Sequence, residues 1–198
     1  MIRFRTILAT GITAAATVTL VAGPAQADTV TRSAHAHFDD HGDGSMYVDV
    51  TRPAVGDTVV DVQWHKSVCG VTDGVRGCDI VSRSAHDVPV TRFSFSLTGA
   101  KLTATVPYQE SQQHCDFVDG DEICGERRES TGSTTLKVTW VATDEPLRRD
   151  RWTGEDGIVH ISTSAWTTVS GSGFGSTYAN EADSFGTLSR SRAVAPTA

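Results

Sequence analysis

The chain has no excess of positive charge, no helical periodicity and no long apolar run beyond its first 27 residues. Its 17 Lys and Arg stand against 24 Asp and Glu, a formal charge of −7 over 198 residues. Nucleic-acid binders usually carry a basic face, and this composition does not supply one. No window shows an i, i+3, i+4, i+7 apolar stripe, which removes helical bundles and βαβ folds. A G-x-S-x-G elbow, an H-E-x-x-H pair and a C-x-x-C metal spacing are all missing. GSGFGS (171–176) follows no strand–helix unit with a lysine, so it is a flexible connection and not a phosphate loop. What remains is 38% apolar, too much for wholesale disorder and enough for one domain.

The first 27 residues read as an export signal. Arg3 and Arg5 precede a soft apolar stretch from Ile7 to Val21, and Ala25-Gln26-Ala27 closes it with the small-x-small pattern of a signal-peptidase site. The arginines are not adjacent, which favours the general secretory route, and no Cys follows to carry a lipid anchor. Cleavage after Ala27 leaves residues 28–198 with 15 basic and 24 acidic side chains. The expectation is a secreted, acidic, extracellular chain with no membrane span after cleavage.

Four cysteines carry the clearest structural signal. CGVTDGVRGC (69–78) and CDFVDGDEIC (115–124) both read C-x3-D-G-x3-C. Asp-Gly favours a two-residue type I′ hairpin turn, because both central residues need positive φ. With Asp73-Gly74 and Asp119-Gly120 at the tips, counting outward makes Cys69 face Cys78 and Cys115 face Cys124. Each is the fourth pair from its turn and therefore an open pair, with Cα atoms about 4.5 Å apart. That lies inside the roughly 4.4–6.8 Å range a disulfide accepts. The expected bonds are Cys69–Cys78 and Cys115–Cys124, each closing its own hairpin independently of the other.

The rest alternates as strands do. Met46, Val48 and Val50 share one face, as do Val60, Val62 and Trp64, and Leu136, Val138 and Trp140. Gly99-Ala100 reads as a type II′ turn, which would set Leu97 opposite Leu102, Phe95 opposite Ala104 and Phe93 opposite Val106. The fold expected is all-β, a single antiparallel β-sandwich or open barrel with two disulfide-closed hairpins. Residues 45–170 would form the β domain. Residues 28–44 read as a loosely ordered N-terminal segment, and 171–198 as a Gly/Ser-rich turn with a C-terminal strand or tail.

Chemistry is sparse. HAHFDDHGDG (35–44) gathers His35, His37, Asp39, Asp40, His41 and Asp43, types that bind metals. As a calcium loop from Asp39 it fails, with His41 at the third position and Val50 where a bidentate Glu belongs. No metal and no cofactor are expected. His65, His86, His114 and His160 are scattered, with no spacing that assembles a triad, so no catalytic residue is assigned.

Three functional classes stay open: a non-enzymatic protein-binding or adaptor module, a proteinase inhibitor, and a hydrolase of unrecognised type. The first is preferred, because a turn closed four pairs back by a disulfide loses little entropy on binding. Thr72, Asp73, Gly74, Val75 and Arg76 form one tip, with a cation suited to a trypsin-like cleft, active or degenerate. Asp119, Gly120, Asp121 and Glu122 belong to an acidic tip suited to a basic surface. The partner expected is another secreted protein.

Cys69, Asp73, Gly74 and Cys78, with Cys115, Asp119, Gly120 and Cys124, also carry a resemblance. With the signal peptide and size, these stapled hairpins look like those of small β-rich secreted proteins of high-GC Gram-positive bacteria. The chain is similar there to the small adaptor subunit of umbrella-shaped antibacterial toxin particles. The resemblance implies a subunit that joins a lectin-bearing, degenerate trypsin-like protein to a long stalk protein, and it transfers no individual residue role.

Overall fold

Period-two alternation commits each run to a strand with one apolar face, and those faces must find a common interior. In a computed structural model they do so by closing a ring. The structure describes residues 29–40, 44–179 and 184–194; the expected signal peptide, residues 1–27, lies outside them. Twelve strands follow in chain order: β1 (Thr29–Asp40), β2 (Gly44–Arg52), β3 (Val59–Thr72), β4 (Val75–Pro89), β5 (Phe93–Ser96) and β6 (Gly99–Val118), then β7 (Asp121–Cys124), β8 (Arg128–Ala142), β9 (Arg148–Thr153), β10 (Val159–Gly173), β11 (Ser176–Tyr178) and β12 (Phe185–Val194).

The ring runs β1–β2–β3–β4–β6–β8–β10–β12 and back to β1, antiparallel at every step. The four short strands prolong long ones. β5 continues the line of β4 along β6, β7 and β9 extend β8 at its two ends, and β11 leads into β12 along β10. The wall is thus an eight-stranded up-and-down barrel, whose interior is just wide enough for side chains to fill.

Inward positions are apolar and fully buried: Phe38, Met46, Val48, Val62, Leu102, Leu136, Val138, Trp140 and Leu188 among them. Outward positions on the same strands carry His35, Asp49, Gln63, Lys101 and Lys137. This polarity is opposite to that of a lipid-embedded barrel, which is apolar outside and polar within.

The ring corrects three expectations. Within the segment read as loosely ordered, residues 29–40 form β1, which puts Ala34, Ala36 and Phe38 into the core and pairs on both edges. A domain of 45–170 alone would lack β1 and β12, whose pairing (Thr29↔Ala193 to His37↔Phe185) closes the wall. GSGFGS is a tight hairpin from β10 to β11, with Phe174 and Gly175 at φ of 55° and 89°. A non-glycine residue rarely adopts that conformation. Here the buried Phe174 ring packs on Trp64 and Tyr108, and its N–H donates to Thr134 Oγ1 at 2.9 Å.

The β5–β6 register also differs. Phe93 faces Leu102 and Phe95 faces Ala100, so the turn falls at Leu97-Thr98. Ser96 Oγ accepts from Gly99 N at 3.1 Å and fixes it there. Gly99 serves a close approach instead of a turn, since a Cβ would sit 3.0 Å from the Trp140 carbonyl.

Candidate functional site

Beyond the barrel, four strand ends continue together. β2 stops pairing with β3 at Ser45↔His65, yet β3 and β4 run on to the Asp73-Gly74 turn. β6 runs on beside them to Asp119-Gly120, and β7 returns along its far edge. Both turns have the two positive φ values that a type I′ hairpin needs: 53° and 83° in the first, 55° and 91° in the second.

The disulfides are Cys69–Cys78 and Cys115–Cys124, each with Cα atoms 4.0 Å apart. The hairpins are not independent. Arg76 pairs with Phe117, Gly77 with Asp116 and Cys78 with Cys115, which welds them into one four-stranded ribbon. Cys69, Cys78, Cys115 and Cys124 stand in a single row across it. Turn chemistry fixes each hairpin locally, whereas the β4–β6 pairing that joins them is long-range and left no mark in either motif.

Strand alternation gives the ribbon two faces. The outer face, continuous with the barrel's outside, carries the cysteines, Val71, Arg76, Phe117 and Glu122. The Arg76 guanidinium lies over the Phe117 ring at 5.6 Å, so this cation is spread on a face and does not project from the tip. The inner face, continuous with the barrel's interior, is floored by Gly70 and Gly77 and lined by Val68, Thr72, Val75, Asp79, His114, Asp116 and Val118.

Thirteen large apolar side chains are exposed among the described residues, and six are on the ribbon: Val68, Val71, Val75, Phe117, Val118 and Ile123. Acids dominate its charge: Asp73, Asp79, Asp116, Asp119, Asp121 and Glu122 against Arg76. The sequence-assigned residues of both tips are therefore brought together on one ribbon, divided between its two faces. The apolar residues just behind the tips, above all Phe117 and Ile123, were not among them.

His114 sits between two carboxylates. Its Nδ1 is 2.8 Å from Asp79 Oδ1 and its Nε2 is 3.2 Å from Asp116 Oδ1. Both ring nitrogens can donate only in the protonated form, so Asp79 first and Asp116 second raise its pKa above the ordinary value of 6.5. A histidine with a raised folded-state pKa contributes stability below its unfolded pKa and loses it as pH rises through the folded one. In an NMR titration His114 is expected to have its midpoint above 6.5, with Asp79→Asn lowering it more than Asp116→Asn. A midpoint unmoved by either change would contradict this geometry.

The ribbon's root is held by a group that the sequence reading missed. Arg83 points inward from β4, with its guanidinium 4.6 Å from the Trp64 ring, 5.5 Å from Tyr108 and 5.8 Å from Phe174. Its Nε donates to Glu110 Oε2 at 2.6 Å and its Nη1 to the Phe174 carbonyl at 3.1 Å. Gln112 and Ser130 donate to the other Glu110 oxygen. The guanidinium first, aided by those donors, holds the Glu110 carboxyl below its usual range. A charged residue at an inward, otherwise apolar register position was the available signal.

Two histidines of the His/Asp segment make contacts along the barrel wall. His35 Nδ1 is 2.7 Å from Asp49 Oδ1, and His37 stacks on Tyr47 at 4.3 Å; His41 and Asp43 lie outside the described residues. Cys115, Glu122 and Cys124 place potential ligand atoms close together. Both sulfurs are spent in one disulfide, which leaves no thiolate for a metal. His65 meets Ser82 Oγ at 3.0 Å, and His160 stacks on Trp152 at 5.1 Å.

No family model and no curated protein matches the chain. Among solved structures, the crystal structure of Neisserial surface protein A is similar at 12% identity over 84% of this chain and 95% of that chain. Its TM-score of 0.27 is too low to carry an argument.

Proposed function

We propose that this chain is a secreted, non-enzymatic protein-binding module, a subunit of an extracellular assembly, and that the stapled ribbon is its binding surface. The observation that supports this most is the concentration of exposed apolar side chains on a doubly cross-linked sheet. Large apolar residues left together in water mark interaction sites. The disulfides remove conformational freedom that binding would otherwise have to remove. Two disulfides also suit an oxidising compartment.

The partner that fits is a protein groove with a basic, apolar lining. A second copy of the chain would set the same acidic excess against itself, and like charges across an interface cost several kcal/mol. Because Arg76 lies across Phe117, a broad face of the ribbon is favoured over one projecting cation. That weighs against an inhibitor-like use of Thr72–Arg76.

The test is copurification from the native culture medium with two variants. Asp121→Lys/Glu122→Lys is expected to lose a partner that the wild type retains, while Arg76→Glu retains it more fully. Retention of every partner by both variants would leave the ribbon a structural staple and overturn the proposal.

A further inference from the structure

The row of four cysteines has a consequence beyond bracing. In each hairpin the cysteines form an open pair, so the backbone N–H and C=O of Cys78 and Cys115 point away from their own disulfide partners. They point at each other, since Cys78 and Cys115 are cross-strand partners between β4 and β6. Such a hydrogen-bonded pair has Cα atoms about 5.5 Å apart, within the roughly 4.4–6.8 Å that a disulfide spans. The two side chains also share one face, as opposed residues in a sheet do. A third bond, Cys78–Cys115, is therefore available without moving a strand.

Exposure grades along the row. Cys69 and Cys124 at the edges are exposed, whereas Cys78 and Cys115 are 4% and 1% exposed. An external thiol reaches only the outer sulfurs. The two outer positions differ in charge: the Glu122 carboxylate lies 3.7 Å from Cys124 Sγ, while the Ser67 hydroxyl lies 3.6 Å from Cys69 Sγ. An incoming thiolate is repelled at the first and tolerated at the second.

We propose that the four cysteines form a thiol–disulfide exchange ladder that a thiol enters at Cys69 and that moves the bond inward to Cys78–Cys115. In the first step a thiolate attacks Cys69 Sγ and forms a mixed disulfide there. The Cys69–Cys78 bond breaks, and its electron pair stays on Cys78 Sγ. The Cys78 thiolate then attacks Cys115 Sγ, forms Cys78–Cys115 and expels the Cys124 thiolate, which takes a proton from water. These steps consume one thiolate and release one, with no net redox change. A second thiol resolves the mixed disulfide at Cys69 and leaves as the oxidised thiol dimer. The net result is a two-electron reduction, with two exposed thiols flanking one buried disulfide. In that state β4 and β6 are tied to each other and the outer strands β3 and β7 are released. A protein thiol in place of the small one would remain covalently attached at Cys69.

The experiment uses the full exported chain and 2-mercaptoethanol, a small thiol with no charge beyond that of its reactive thiolate. Reduction is taken to one disulfide equivalent, quenched in acid, alkylated and mapped by mass spectrometry. The expected species has Cys69 and Cys124 alkylated and Cys78 linked to Cys115, preceded by a mixed disulfide on Cys69. Alkylation of both cysteines of one hairpin, with the other hairpin's bond intact, would overturn the ladder. An early mixed disulfide on Cys124 would overturn its direction. As a second arm, Cys69→Ser/Cys124→Ser is expected to show no free thiol in an oxidising glutathione buffer and to map as Cys78–Cys115. Two free thiols in that folded variant would contradict the proposal independently.

Discussion

Trp140→Ala is expected to lower the unfolding free energy by about 3–5 kcal/mol. Trp140 is 1% exposed and points into the barrel from β8. The barrel interior is filled only by side chains, so removing an indole leaves a void that a closed ring of strands cannot collapse to fill. The indole Nε1–H also donates to the His35 carbonyl at 2.8 Å, tying β8 to β1 across the interior. Its loss would leave that acceptor short of one partner. Against a usual total of about 5–15 kcal/mol, this is a fifth or more of the stability. Trp166→Ala is the control, because that ring is 47% exposed on the outer wall; surface changes usually stay within about 0.5 kcal/mol. Denaturant unfolding of both variants checks the pair, and equal losses would mean that the ring of strands is not the core.

Arg83→Ala should cost about 1–3 kcal/mol, between the values for an exposed and a buried ion pair, because the Arg83 and Glu110 side chains are 21% and 12% exposed. Glu110 keeps Gln112 and Ser130 as donors, which limits the loss. The guanidinium's contacts with Trp64, Tyr108 and Phe174 are lost as well, and with them the packing that holds the ribbon's root. Replacing both charges, as in Arg83→Met/Glu110→Leu, should recover most of the loss, since no unpaired carboxylate then remains. The pH dependence follows from the lowered Glu110 pKa. A depressed carboxyl contributes stability above its unfolded pKa and loses it as pH falls through the folded one. The gap between wild type and Arg83→Ala should therefore be full at neutral pH and narrow in acid, below the ordinary carboxylate range. Thermal melts at both pH values read this directly, and a gap that widens in acid would refute it.

Local chemistry was legible in the sequence and long-range pairing was not. Asp73-Gly74 and Asp119-Gly120 set turn type, and turn type sets register, so each disulfide could be placed by counting four pairs outward. The same reasoning misplaced the β5–β6 turn, because Gly99 can serve a turn or a close approach and only the Trp140 carbonyl decides. Nothing local says that β12 returns to β1, which is why the polar-looking N-terminal segment was read as loose although Ala34, Ala36 and Phe38 alternate correctly. Arg83 was hidden for a different reason. It breaks the apolar pattern at an inward position and is satisfied by Glu110 on another strand and by a carbonyl in the β10–β11 turn. On the proposed binding surface, the tips were visible as motifs. Phe117 and Ile123 became candidates only when the fold left them exposed on the ribbon.

The most direct test of the central claim removes the ribbon's apolar surface without touching its staples. Phe117→Asp/Ile123→Asp changes two exposed side chains, one on each face, while Trp166→Asp makes a matched change on the outer barrel wall. Each protein is purified from native culture medium with whatever remains bound, after near-ultraviolet circular dichroism has shown that its fold is kept. The account predicts that the ribbon variant loses a partner that wild type and Trp166→Asp both retain. Retention of that partner by the ribbon variant, or its equal loss from Trp166→Asp, would contradict it.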